Sequence, residues 1–279
     1  MTYIIGITGG KGGTGKSTVA TSLAYALSKQ GKKVLLVDAD VDCPNDHLLL
    51  GVELEEIEKV NQRIPEFDFD KCIKCGKCGK VCKTNAIVSI KDKLPIFIKE
   101  QCNGCGSCKI ICENDAISFT EKEIGKIFIG KKEGLDFLSG ELKPNEPISE
   151  FVVNKLNDLI EEKKENYDVI IIDTAAGTHC PVIAALEMCD EIFAVTEPTP
   201  LGHHDLSIIL ELLSMMKKES KIVINRSDVG DVKLIEDLSK EYGLEIVAKI
   251  PYSKEIVNNY SKGKPIIHSE IDKIIGMIR

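Results

Sequence analysis

Residues 3–27 read YIIGITGGKGGTGKSTVATSLAYAL. Tyr3–Thr8 is a β-rich apolar run that leads directly into glycines. Beyond them, Val19, Leu23, Ala24 and Leu27 keep helical spacing. Between strand and helix, Gly10–Ser17 satisfies G-x4-G-K-[ST], the context of a phosphate-binding loop. Glycine lets backbone amides curl around phosphate oxygens, and the helix N-terminus adds its dipole. Gly10, Gly12, Gly13, Thr14, Gly15 and Thr18 are therefore expected to cradle phosphates. Lys16 is expected to reach the β- and γ-phosphates, and Ser17 to ligate Mg²⁺.

Outward from the loop, strand-like runs at 3–8, 33–38, 168–173, 191–196, 221–225 and 246–250 alternate with helical patterns at 16–29, 150–165, 203–217, 231–242 and 254–261. This predicts an α/β fold, a mainly parallel, doubly wound P-loop sheet. Runs 125–129 and 134–142 predict an added strand pair, and 51–66, acidic and polar, a connecting helix or linker.

The 279 residues suit one large domain or two unequal ones. A net charge of −8 argues against a nucleic-acid binder that relies on a global positive field. No apolar run approaches the ~20 residues of a membrane helix. The terminal helical pattern, 265–279, balances Glu270 and Asp272 against Lys273 and Arg279, so it is read as a docked helix rather than a basic membrane anchor. With no basic region ahead of the first apolar run, the expected location is cytoplasmic, a reducing compartment. There, 11 cysteines favour metal or redox chemistry over disulfides.

Eight of those cysteines form two runs of one pattern, Cys72-x2-Cys75-x2-Cys78-x3-Cys82 and Cys102-x2-Cys105-x2-Cys108-x3-Cys112. KTNAIVSI follows the first and ENDAISF the second, an internal duplication. Ligands three apart on a tight loop place three thiolates on three irons of a cube, and the fourth reaches the other cluster. Cys72, Cys75, Cys78 and Cys112 are thus assigned to one [4Fe–4S] cluster, and Cys102, Cys105, Cys108 and Cys82 to a second. The competing reading, paired zinc ribbons, normally uses two separated CxxC pairs. Nine lysines against six acids make 67–120 locally basic, with Lys71, Lys74, Lys77, Lys80 and Lys83 recurring every third residue. Of the three left over, Cys43 and Cys180 are read as inert, buried or half-buried thiols and Cys189, on an apolar stretch before a strand, as core. His203 and His204 are read as opening a helix, without a metal role.

Residues 67–120 resemble a bacterial-type two-cluster ferredoxin, except that Lys83 and Glu113 stand where a proline is expected after each fourth cysteine. The loop KGGTGKS, with its extra Lys11, resembles the deviant Walker A motif of the MinD/ParA-type ATPases. The chain VLLVDAD at 34–40, the D-x4-N spacing from Asp40 to Asn45, and VIIIDTAAG at 169–177 resemble that family's switch I and Walker B–switch II segments. The resemblance implies a homodimer in which Lys11 contacts nucleotide across the interface. It implies that Asp40 polarises the attacking water, that Asp173 holds Mg²⁺ through water, and that Gly177 serves switch II. Asn225-Arg226 resembles the family's adenine-side motif, and Pro251 a loop over the base. Asn225-Arg-Ser-Asp228 also nearly fits a guanine N-K-x-D pattern, and ATP is preferred on the family resemblance.

The expected organisation is a discontinuous P-loop ATPase domain, 1–66 and 121–279, interrupted by a small α+β ferredoxin-like insert at 67–120. The expected function is a Mg-ATP-hydrolysing iron–sulfur protein that couples nucleotide state to electron transfer or to maturation of a partner metalloenzyme. Its partners are a second copy and a redox or metalloenzyme protein, with neither nucleic acid nor membrane. Two alternatives are an iron–sulfur carrier or scaffold of the Mrp type and a non-redox MinD/ParA-like positioning ATPase.

Overall fold

The computed structural model describes residues 2–278; Arg279, part of the charge balance above, lies outside them. In chain order the elements are β1 (Tyr3–Thr8), α1 (Lys16–Lys29), β2 (Val34–Ala39), α2 (Asp46–Leu50), β3 (Glu55–Phe67), α3 (Lys77–Val81), β4 (Ile87–Val88) and β5 (Ile96–Phe97). Then come α4 (Ser107–Ile110), β6 (Ile117–Lys132), β7 (Leu135–Leu142), α5 (Glu150–Lys163), β8 (Val169–Thr174), α6 (Cys180–Glu187) and β9 (Glu191–Thr196). The chain closes with α7 (Pro200–Met215), β10 (Glu219–Asn225), α8 (Val232–Tyr242), β11 (Ile246–Ile250), α9 (Lys254–Tyr260) and α10 (Ser269–Ile275).

Nine strands form one sheet in the order β11-β10-β9-β1-β8-β2-β7-β6-β3. From β11 through β7 every pairing is parallel, and β6 runs against both of its neighbours. The central strands alternate faces, so each buries side chains both ways. Ile4, Val37, Ile172 and Ala194 pack with α5–α8 on one face. Ile5, Leu36, Ile171 and Phe193 pack with α1 and α10 on the other. The doubly wound expectation therefore holds, and the terminal helical pattern at 265–279 docks through buried Ile271 and Ile274.

The reading of 51–66 as helix or linker is corrected: residues 55–67 form β3, the edge strand. Its acidic residues misled because they sit on an exposed edge, where charge discourages strand-to-strand association. The pair expected at 125–129 and 134–142 forms, but it belongs to the main sheet, and its first strand begins at Ile117.

Residues 125–132 of β6 pair with β7, whereas 117–123 continue beyond Leu142 with β3 as partner. β7 runs parallel to β2, with Ser139 beside Asp38, so this two-stranded arm leaves the sheet at the C-terminal end of β2. At ~3.3 Å per residue it extends roughly 20 Å. Residues 68–116, with α3, α4 and the β4–β5 pair, lie between its two strands in sequence. Lys122 anchors the base of the arm, pairing with Glu146 at 2.6 Å with both side chains nearly buried. Its ammonium also donates to the Lys99 carbonyl at 3.4 Å.

Candidate functional site

The loop after β1 turns into α1 through Gly13 and Gly15, at φ 85° and 96°. Gly15 is doubly constrained, because a Cβ there would lie 2.2 Å from Asn225 Nδ2. That amide donates to the Thr14 carbonyl at 2.8 Å, tying the end of β10 to the loop. Gly10 faces α7, where a Cβ would meet the Asp205 carbonyl oxygen at 2.3 Å.

A cleft of about 1190 Å³, open mouth included, lies over the C-terminal strand ends. Gly12, Gly13, Gly15, Lys16, Ser17 and Thr18 line it at one end. Asp40 and Asn45 come from the segment after β2, and Asn225, Arg226 and Pro251 from the loops after β10 and β11. Five residues expected from sequence stand outside its lining: Asp173, which lies beneath it, and Gly10, Lys11, Thr14 and Gly177. Gly10 packs on α7; Thr14 is buried and donates to the Lys11 carbonyl at 3.4 Å. Lys11 itself is exposed, and the Gly177 amide donates to the Gly9 carbonyl at 3.1 Å, joining the 174–179 loop to the phosphate loop.

Beneath the cleft, Ser17 Oγ donates to Asp173 Oδ2 at 2.6 Å. Asp173 is buried, its Oδ1 has no hydrogen-bond partner, and burial pushes its carboxyl up to about 7. Asp40 is also raised, by burial, with Lys16 acting against the shift. Two further carboxylates are buried: Asp38, read in the sequence only as part of the acidic end of VLLVDAD, and Asp46, which went unnoticed. Asp38 accepts from the amides of Asn45 at 2.9 Å, Asp46 at 3.1 Å and Asp40 at 3.2 Å, holding the segment after β2 in a tight turn. Burial, then the charge of Asp173, raises both well above the usual carboxylate range. Such a cluster demands positive charge, and its oxygen donors are those a hard divalent cation takes.

The far wall was also missed. Tyr252, Ser253, Ile256, Val257 and Tyr260, from α9 and its cap, line the cleft with Pro251. Two phenol rings and two aliphatic side chains suit the flat face of a base. The signal was present as a helical pattern immediately after Pro251. Arg226 pairs with Glu197 at 2.5 Å, and Asp228 accepts the Tyr252 amide at 2.6 Å, so that carboxylate oxygen is engaged by the backbone.

In 68–116 the eight cysteines fall into two groups of four. Cys72, Cys75, Cys78 and Cys112 line one concavity, and Cys82, Cys102, Cys105 and Cys108 line another. The loops entering α3 and α4 repeat the same turn, with Gly76 and Gly106 at φ 72° and 77°. The Gly104 amide donates to Cys102 Sγ at 3.4 Å. Burial raises the thiols of Cys78, Cys102 and Cys108, the last to about 11. Among the described residues no three His, Cys, Asp or Glu side chains converge on a single metal ion. Of the remaining thiols, Cys189 is buried, as expected. Cys43 and Cys180 are exposed, which corrects the buried or half-buried reading: Cys43 sits in the turn after β2 and Cys180 in the first turn of α6. His203 and His204 lie within the first turns of α7, which begins at Pro200 rather than at the histidines.

A parallel sheet with a glycine loop between its first strand and helix, and an acid at the end of a neighbouring strand, defines a P-loop nucleotide-binding protein. Residues 5–266 match the CobQ/CobB/MinD/ParA nucleotide binding domain, and the chain belongs to that family. It is a MinD/ParA-like ATPase. It is 36% identical over 265 residues to an uncharacterized protein of Methanocaldococcus jannaschii, covering 95% of this chain and 91% of that one. The septum site-determining protein MinD of Pyrococcus horikoshii OT3, solved with Mg-ADP, superposes with a TM-score of 0.59 at 23% identity, over 95% of this chain and 87% of that one. A MinC:MinD cell division complex of Aquifex aeolicus gives 0.59 at 25% identity, over 98% and 96%. Among the described residues no helix is long and apolar enough to cross a membrane.

Proposed function

We propose that the chain is a Mg-ATP-driven switch that dimerises over its nucleotides and transmits nucleotide state to a partner protein. Lys16 and the loop amides hold the phosphates, and Ser17 and Asp173 hold the cation. Mg²⁺ would supply charge neutralisation on the phosphate oxygens. Asp40 orients the attacking water, Asn225 and Arg226 with the α9 wall seat the base, and exposed Lys11 acts across the dimer interface.

Two readings of what the switch drives are distinct. The comparisons favour the non-redox one, a positioning ATPase like the MinD proteins, one of which is solved in complex with MinC. An iron–sulfur reading rests on a single observation of this chain, the division of eight cysteines into two concavities of four. In each, ligands come from both halves of the duplicated sequence, the crossed pattern of two-cluster ferredoxins. Thiolates are the fitting donor set, and bound clusters would store and pass single electrons.

A route from switch to arm supports coupling. The Leu142 amide donates to the Val41 carbonyl, one residue past Asp40, at 2.8 Å. The next amide, Lys143, donates to the Ile124 carbonyl in β6 at 2.8 Å. Anaerobic reconstitution followed by iron and acid-labile sulfide counts decides between the readings. About eight of each per chain supports the clusters; a chain that folds and hydrolyses ATP while holding none leaves the non-redox reading. Cluster potentials that differ between ADP and a non-hydrolysable ATP analogue would then support coupling.

A further inference from the structure

Asp46 opens the short helix α2, and the switch reading above gives it no role. Its side chain is fully buried, and neither carboxylate oxygen has a hydrogen-bond partner. Asp173 Oδ1, also buried, lacks a partner as well. The two carboxyls lie within hydrogen-bonding reach of each other, with no donor between them.

Their placement follows from the sheet. Ser139, Asp38 and Asp173 occupy one row across β7, β2 and β8. By alternation they share the face that α1 covers, since Phe137, Leu36 and Ile171, two residues earlier on each strand, pack there. Ser17 reaches Asp173 from α1. Asp46 is brought to the same point because Asp38 holds its amide and that of Asn45. The unpartnered oxygens of Asp46 and Asp173 thus face a point beside the Ser17 hydroxyl, at the floor of the nucleotide cleft. Two buried carboxylates in contact need a positive species between them.

We propose that Asp46 is a further carboxylate of the divalent-cation site, holding the cation with Ser17 and Asp173 either directly or through its bound water. This rests on the Mg-nucleotide reading of the cleft. It makes the segment after β2 a cation-held element: occupancy of the site pins α2, and with it residues 40–50, against β8.

The test uses the full chain with saturating ADP and Mn²⁺ as the probe, followed by loss of the free-Mn²⁺ electron paramagnetic resonance signal. Asp46→Asn and Asp46→Ala are each expected to weaken Mn²⁺ binding at least ten-fold. Without cation, Asp46→Asn should raise the melting temperature, because its amide can donate to Asp173. Mn²⁺ affinities within two-fold of the unaltered chain in a folded variant overturn the proposal and leave Asp46 a neutral buried acid. Should neither variant fold, the anomalous peak in crystals of the unaltered Mn-ADP complex decides. A peak within about 5 Å of an Asp46 oxygen supports it, the reach of one bridging water, and a more distant peak overturns it. If the unaltered chain binds no Mn²⁺ with ADP, the nucleotide reading of the cleft fails instead.

Discussion

The side-chain amide of Asn225 donates to the backbone carbonyl of Thr14 at 2.8 Å, joining residues 211 positions apart. The bond makes the end of β10 a brace for the phosphate loop, and it explains why position 15 is glycine. A hydrogen bond of this kind contributes about 1 kcal/mol net. Asn225→Ala should therefore weaken binding of a fluorescent ATP analogue roughly five-fold. Gly15→Ala, which drives a methyl group into the same amide from a positive φ, should abolish binding in a chain that still folds by circular dichroism.

The buried acids predict an unusual pH response. Asp173 has a folded value of about 7 against 3.8 for a free carboxyl, so folding favours its protonated form. That contribution is fully present below 3.8 and is lost as pH rises through 7. Without cation or nucleotide, the melting temperature should fall by a few degrees between pH 5.5 and about 8. Saturating Mg-ADP should flatten the dependence, because the cation holds the carboxylate ionised. A melting temperature that rises steadily over this range without cation would contradict the assignment.

Lys122 and Glu146 form a nearly buried pair at the base of the β3–β6 arm. Removing one partner strands the other charge, at a cost of about 3–5 kcal/mol. Glu146→Ala should show this in urea unfolding, whereas Lys122→Met combined with Glu146→Leu should recover most of the loss. Hydrogen exchange in 117–124 should accelerate in the single variant.

The proposed crossed ligation would give the cysteines a distinctive grouping. Cys82→Ser should damage the same cluster as Cys105→Ser, although Cys82 belongs to the first run, and Cys112→Ser should match Cys75→Ser. Each variant should lower iron from about eight to about four per chain, and the spectrum of the reduced protein should sort them into those two pairs. A grouping by sequence run would show that the crossing is wrong.

Local chemistry carried much of this protein into view before any folding. The phosphate loop and the repeat of eight cysteines depend on residues close in the chain, where spacing dictates what can be held. The parallel sheet was legible because strands buried on both faces are apolar in long runs, as at 169–172 and 192–195. The edge strand β3 was not, because its stability comes from pairing with β6, fifty residues away and more, while its exposed side chains read as solvent-facing polar chain. Tertiary structure alone brought Asp46 to Asp173 and Asn225 to Thr14, and set α9 as the wall of the cleft. Their spacing along the chain has no fixed period, and each owes its position to strand order and register, which are settled only when the whole sheet closes.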